Sequence, residues 1–270
     1  MELQRVYLSP STPFAEIAER LQAFRPDVVR GIGSHLGAFY RWAYESKAVC
    51  HLPRAIAFGA DAMLPSDREC IEGSLGIPVF GTYQAIEALR MGYECEARQG
   101  YHLFTDQCVV RVVDATGRDV APGERGEVVI TNLMNRAMPV INYRLGDLVT
   151  VATGDCPCGI RTPRLMSIDG RLDDLILRPD GTHMPALVLV PGLQAVPGVR
   201  QVRIEQVEMN RFLLQVVALA GASYHPPALR QVFNGVLGPE ALVEIETVEE
   251  LRRESSGKMK SFVSKVSPRC

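Results

Sequence analysis

Neither sign of charge dominates this chain of 270 residues: 29 Lys and Arg stand against 31 Asp and Glu, a formal net charge of −2. That balance removes the basic surplus that draws proteins onto nucleic acid or anionic membrane surfaces. Long apolar runs are missing as well. No stretch approaches the ~20 apolar residues of a membrane-spanning helix, and the start, MELQRVYLSP, lacks the apolar core of a secretory signal. Aromatic residues make up only 7% and include a single Trp, and no stripe of basic and aromatic residues suggests a nucleic-acid face. Internal repeats and low-complexity tracts are absent. These absences predict a cytoplasmic protein with neither membrane nor nucleic acid as a partner. In a reducing compartment its seven cysteines, Cys50, Cys70, Cys95, Cys108, Cys156, Cys158 and Cys270, are thiols or metal ligands before they are disulfides.

What remains is apolar enough to fold, at 47% hydrophobic, and long enough for one large domain or one medium and one small. Residues 13–48 read as two helices. PFAEIAERLQAF places Pro13 at a helix start and spaces Ile17, Leu21 and Phe24 on one side. RPDVVRGIG, RAIAFGAD and IPVFGTY read as strands, separated by the helical segments SHLGAFYRWAYESK and PSDRECIEGSLG. Strand alternating with helix predicts a parallel sheet of βαβ units. After about residue 100 the texture changes. QCVVRVVDATGRDVAPGERGEVVITNL alternates β-branched residues between Gly-containing turns, which predicts hairpins in a small antiparallel barrel or sandwich. From about residue 174 the pattern is compact α+β: a hairpin in LILRPDGTHM, a helix in ALVLVPGLQAVPG, two strands, and a helix in PPALRQVFNGVLG.

Four short elements, taken in order, carry chemistry. Tyr83-Gln84-Ala85-Ile86-Glu87 follows a strand, at the kind of strand end where open α/β sheets bind ligands. Tyr143-Arg144-Leu145-Gly146-Asp147 ends on a carboxylate, whose paired oxygens suit a vicinal diol. Gly170-Arg171-Leu172-Asp173-Asp174 lies at the change of texture, and Ser255-Ser256-Gly257-Lys258 lies near the end. Singly, each is weak, and each reads equally as an ordinary turn or strand junction. Together they resemble the acyl-adenylate-forming superfamily, and the block NRAMPVINYRLGD with the following CPCG is similar to its phenylacetate–CoA ligase branch.

The resemblance covers essentially the whole chain. It implies an α/β plus α+β fold: residues 1–170 as a partial large domain (a doubly wound α/β part, 1–100, and a small antiparallel β-barrel, 101–170), a hinge at 171–174, and a small mobile domain at 175–270. It implies that Tyr83 lies against adenine, that Glu87 helps hold the Mg²⁺ of ATP, and that Asp147 accepts from the ribose hydroxyls. Arg171 would approach ribose and phosphate, with Asp173 as pivot. Lys258 would reach over the site during adenylation, a task that suits a cation delivered by a domain movement. Gly59 and Ala60, in FGAD, would offer backbone contacts beside the acyl and phosphate groups. The expected activity is that of an acid–thiol ligase, in which a small carboxylic acid and ATP give acyl-AMP, and CoA or a carrier phosphopantetheine then displaces AMP. Gln84 departs from the Gly usual in the family and narrows the expected pocket.

A second departure concerns the Gly- and Ser/Thr-rich loop that relatives wrap around the triphosphate. No segment resembles it; GIGSH at residues 31–35 lacks the Thr-Gly cluster and the Lys. The resemblance therefore implies an N-terminally truncated member. Three readings stay open: half of an enzyme completed by a second chain, a short form that uses acyl-AMP or an acyl thioester made elsewhere, and a non-catalytic AMP- or acyl-AMP-binding subunit that partners another chain or a second copy of itself.

Cys95, His102, Cys156 and Cys158 form a further constellation, C-x6-H with a distant C-x-C. Thiolates with one imidazole suit a closed tetrahedral Zn²⁺ site of structural kind. Unligated thiols are the alternative, and a zinc-braced interaction module without nucleotide is the functional reading that goes with the metal alone. Cys50, Cys70 and Cys108 sit in apolar or helical contexts and read as buried small hydrophobes. The aromatic series Phe39, Tyr40, Trp42 and Tyr44 reads as helix packing.

Overall fold

The computed structural model describes residues 4–219, 221–251 and 260–266. Lys258 therefore lies outside the described residues, as does the Ser-Ser-Gly before it. Helix α1 (Phe14–Phe24) begins at Pro13, buries Ile17, Ala18 and Leu21, and ends where Arg25 turns left-handed. Strands β1 (Val28–Ile32), β2 (Ala55–Gly59) and β3 (Val79–Ala85) run parallel, in the order expected of βαβ units. Helix α2 (Gly33–Glu45) lies between β1 and β2, and α3 (Pro65–Glu69), prolonged by a π-helical turn at Cys70–Ser74, lies between β2 and β3. One apolar cluster unites α1, α2 and the first strands through Leu21, Phe39, Tyr40, Ile56, Phe58, Ile71 and Val79. Phe14, Phe39, Tyr40 and Trp42 meet in edge and tilted ring contacts, so this aromatic series is helix packing; Tyr44 alone stays half exposed.

Strand β3 belongs to two ladders. Val79, Phe80 and Gly81 pair with β2, whereas Thr82 to Ala85 pair antiparallel with β4 (Leu89–Glu94). Where the ladders part, the side of β3 turned away from β2 has no strand to bond, and buried backbone groups cannot be left unmade. Ionised side chains take the strand's place. Glu94 accepts the amide of Gly81 at 2.6 Å, Arg68 donates to Val79 O at 2.8 Å, and Glu72 accepts the amide of Val79 at 3.0 Å. Arg68 also forks onto both oxygens of Glu94. Gly81 sits so close to the Tyr101 hydroxyl that a Cβ there would stand 2.6 Å from it.

Strands β5 (Tyr101–Leu103), β6 (Cys108–Val113), β7 (Arg125–Asn132), β8 (Tyr143–Val151) and β9 (Arg164–Arg171) continue the antiparallel part. The nine strands form one sheet in the order β1-β2-β3-β4-β5-β9-β8-β7-β6. The expected small barrel is thus corrected: the sheet is not closed among the described residues, and its antiparallel half is continuous with the parallel one. At the end of β6 residues 114–120 fold back along its outer edge, with Val113 bridging Asp119 and the Val120 amide bonding Val112 O. Leu103 and Leu165 on one side and Val110 and Val112 on the other line a cavity of about 520 Å³ instead.

The α+β pattern expected after residue 174 is present. β12 (Val199–Glu208), β13 (Arg211–Ala218), β14 (Leu242–Thr247) and β15 (Phe262–Ser264) form a sheet in the order β14-β13-β12-β15. Helices α4 (Leu189–Gln194) and α5 (Pro226–Leu237) cover its apolar side and share a core with Val202, Ile204, Leu214 and Phe262. The hairpin of β10 (Leu175–Leu177) and β11 (His183–Pro185) is fastened to this unit by Gln206, a fully buried amide. Gln206 accepts the Leu177 amide at 3.1 Å and donates to Leu177 O at 2.7 Å, imitating a ladder pair. The main sheet ends at Arg171 and this unit begins at Leu175, with one 3₁₀ turn, Leu172–Asp174, between them.

Candidate nucleotide and metal sites

Three side chains named from separate motifs meet. Tyr83, on the antiparallel half of β3, is buried, and its hydroxyl donates to Asp147 Oδ2 at 2.7 Å. Asp147 lies on β8 opposite Arg171 of β9, whose guanidinium reaches Asp147 Oδ1 at 2.9 Å and Leu145 O at 3.3 Å. Gly146 makes this possible: its φ of +79° turns the backbone just before Asp147, a conformation that L side chains rarely adopt. Burial, and then the neighbouring Asp147, push the Tyr83 phenol far above its ordinary range, so it stays a donor. The carboxylate is thereby oriented from two sides.

Glu87 stands in the turn between β3 and β4, half-buried, and its backbone carbonyl accepts from Asn132 Nδ2 at 2.8 Å. This tethers the turn to the end of β7. Gly59 ends β2, where Thr82 Oγ1 bonds Phe58 O at 2.8 Å, and Ala60 has a φ of +66°. The next residue, Asp61, was legible only as part of FGAD. Its carboxylate accepts the Ser34 amide at 2.8 Å and the Ser34 hydroxyl at 2.6 Å, capping α2 from another part of the chain. Asp173 has its backbone in the 3₁₀ turn between the two sheets. The network of Arg68, Glu72 and Glu94 was not foreseen; the only local signal is the i,i+4 pair Arg68–Glu72.

The second constellation also comes together. The ligand atoms of Cys95, His102, Cys156 and Cys158 all lie within 4.8 Å of one another. Cys95 Sγ is 3.6 Å from Cys156 Sγ, and Cys158 Sγ is 3.3 Å from His102 Nε2. A tetrahedron with metal–ligand distances of ~2.0–2.3 Å has edges of roughly 3.5–3.8 Å, so the two pairs have close to the spacing of ligand edges. Two turns shape the cluster, Arg98 N bonding Cys95 O at 2.9 Å and Gly159 N bonding Cys156 O at 3.1 Å. His102 is fully buried and turns Nδ1 to Thr162 Oγ1 at 3.2 Å, leaving Nε2 to the thiols. Burial first, and then Arg164, lower its pKa and keep the imidazole neutral, the form that ligates. Cys95 directly follows β4, the partner of β3, so the cluster ties that strand to the β8–β9 connection.

No family model matches the chain. Among solved structures, it superposes on 2-hydroxyisobutyryl-CoA ligase in its postadenylation state with a TM-score of 0.74 and 24% identity, over 93% of this chain and 57% of that one. It also superposes on the amide bond synthetase of Marinactinospora thermotolerans (0.70, 18%, 92% and 54%) and on the anthranilate CoA ligase in complex with anthranoyl-AMP (0.70, 14%, 91% and 50%). The fold is the one these adenylate-bound ligases and the synthetase share. Its sequence relatives are more specific. It is 30% identical over 251 residues to the phenylacetate–coenzyme A ligase of Thermus thermophilus, over 90% of this chain and 55% of that one. It is 31% identical over 169 residues to that of Escherichia coli, over 59% and 38%. The chain is a homologue of the phenylacetate–CoA ligases and spans about half the length of the first of them.

Proposed function

We propose that this chain carries the AMP side of a ligase that joins a carboxylic acid to CoA through an acyl-adenylate. The observation that supports the reading is the hydrogen-bonded set Tyr83–Asp147–Arg171, drawn from three motifs that lie far apart in sequence. Asp147 holds the ribose hydroxyls, since a carboxylate has the paired acceptor oxygens that a vicinal diol needs. Tyr83 fixes the carboxylate and offers its ring to adenine. Arg171 brings positive charge towards the phosphate, where adenylation concentrates negative charge. Glu87 is the carboxylate for the magnesium that accompanies ATP, and the Gly59–Ala60 backbone borders the acyl and phosphate groups. Lys258 is the cation of the adenylation step, delivered by the unit beyond the Leu172–Asp174 turn, with Asp173 as its pivot.

The solved relatives support a two-arrangement cycle. The same 2-hydroxyisobutyryl-CoA ligase superposes with a TM-score of 0.74 in its postadenylation state, but 0.54 in its thioesterification state. In our reading the arrangement described above is the adenylation-side one. Zn²⁺ held by Cys95, His102, Cys156 and Cys158 serves as a structural brace and takes no part in the chemistry.

Calorimetry with AMP and a non-hydrolysable acyl-AMP analogue tests the reading. Wild-type chain should bind both, and Asp147→Ala should weaken binding by about 1–3 kcal/mol, the worth of hydrogen bonds to a charged acceptor. Absence of binding by the wild type, or equal binding by Asp147→Ala, would falsify the nucleotide assignment.

A further inference from the structure

One short segment touches both halves of the proposed cycle. Residues 59–64 begin at Gly59 and Ala60, the backbone placed beside the acyl and phosphate groups. Ala60 is left-handed and Asp61 N bonds Gly59 O at 2.8 Å, a tight three-residue turn. Both oxygens of Asp61 are then held by Ser34, and Asp61 O and Met63 N lie tight against Gly33 at the start of α2. The segment is thus pinned along its length rather than draped. At its far end Leu64 leaves the cluster of its neighbours and packs against the core of the C-terminal unit, the cluster that holds Leu189, Ile204 and Phe262. Three residues on, the buried Asp67 lies within the field of Arg200 on β12 of that unit.

We propose that Leu64 is a positioning residue, the contact through which the segment bearing Gly59 and Ala60 holds the C-terminal unit in the adenylation-side arrangement. The inference rests on the ligase reading above for its two half-reactions, and on the packing of Leu64 alone for its mechanical part. Any large turn of the unit about Leu172–Asp174 must withdraw its core from Leu64, since the pinned segment cannot follow. Leu64 is only half-buried, so truncating it removes the contact without hollowing either core. An apolar contact of this kind also biases an equilibrium between arrangements by what it gains in one and loses in the other.

The test uses the full chain with Leu64→Ala and Leu64→Met. Small-angle scattering should show a larger radius of gyration for Leu64→Ala than for wild type, and limited proteolysis should cut faster at residues 171–174. Adenylate formation should slow about tenfold, the equivalent of ~1.4 kcal/mol. Thioester formation from preformed acyl-AMP should be unchanged or faster, a split that general loss of stability would not produce. Leu64→Met, which refills the contact, should restore both rates and the scattering profile. An unchanged scattering profile in Leu64→Ala, or a parallel fall in both half-reactions, overturns the proposal. If wild type neither binds AMP nor forms adenylate, the ligase reading fails, and the scattering comparison by itself decides the role of Leu64.

Discussion

At the scale of single residues, buried charge is concentrated where the chain has no backbone alternative. Asp67 shows the cost. Burial raises its pKa above the ordinary 3.8, although Arg41 Nε stands 2.5 Å from Oδ1 and opposes the shift. A carboxyl raised in the folded state holds its proton more tightly there than in the unfolded chain. Its contribution to stability is therefore greatest below 3.8 and declines as pH rises through the folded value. Urea unfolding across that acid window should show this as a component that opposes the usual acid destabilisation. Asp67→Asn should abolish the component while lowering stability at neutral pH, because Arg41 loses its partner; an unchanged pH slope would show that Asp67 titrates normally. Cys108, by contrast, is the buried small hydrophobe its context suggests, with its thiol pushed up by burial.

Among elements, the cysteine–histidine cluster joins parts of the chain that the ladders hold only lightly. β5 is three residues long and pairs with β9 through Tyr101–Leu165 and His102–Arg164 alone. Arg164 adds bonds to the carbonyls of Gln99, Thr153 and Gly154 beneath the cluster. A bound metal would close the long loop between Cys95 and Cys156, and structural zinc commonly contributes directly to folding. Elemental analysis of protein purified without added metal should find about one zinc per chain. Cys156→Ser should lose the metal and melt several degrees lower, as a loss of a few kcal/mol implies for a chain of this size. Metal-free wild type with unchanged melting in the variant would leave four ordinary thiols. The cysteine–histidine cluster was legible because its residue types are rare and fall in two short pairs, C-x6-H and C-x-C, although those pairs lie far apart in the chain. The open sheet was not legible. Alternation in 108–132 specifies strands and turns, but whether the sheet closes depends on pairing between strands far apart in sequence, which local alternation does not announce. The fork in β3 was hidden likewise, because its signal lies in Arg68, Glu72 and Glu94 rather than in the strand.

For the whole molecule, the succession of elements was legible because the period of the apolar residues changes along the chain, from alternating strand and helix to hairpins to compact α+β. What it did not show is which motifs touch. Tyr83, Asp147 and Arg171 are recognisable one by one, but their convergence depends on the β8–β9 register, in which Asp147 stands opposite Arg171. The division of labour can be tested at this scale. Asp147 belongs to the main sheet and should serve nucleotide binding in each half-reaction. Lys258, outside the described residues, should serve only adenylation. Lys258→Ala should keep AMP affinity within about twofold and slow adenylate formation by roughly 10²–10³, as loss of one preorganised charge-stabilising group does. Thioester formation from preformed acyl-AMP should change little. Loss of AMP binding as complete as in Asp147→Ala would contradict the separate roles.

The register that completes the network also sets when it can exist. β9 lies between β5 and β8; β5 finds its partners at Arg164 and Leu165, but the rung of β8 at Asp147 cannot form until Arg171 has been made. At translation speeds of about 5–20 residues per second, several seconds at least separate the synthesis of Tyr83 from that of Arg171. A nascent chain in that interval carries Tyr83 without its full set of partners and has no completed place for a nucleotide. Added AMP should therefore protect ribosome-bound chains from protease only once β9 has cleared the exit tunnel, and leave shorter nascent lengths as vulnerable as before.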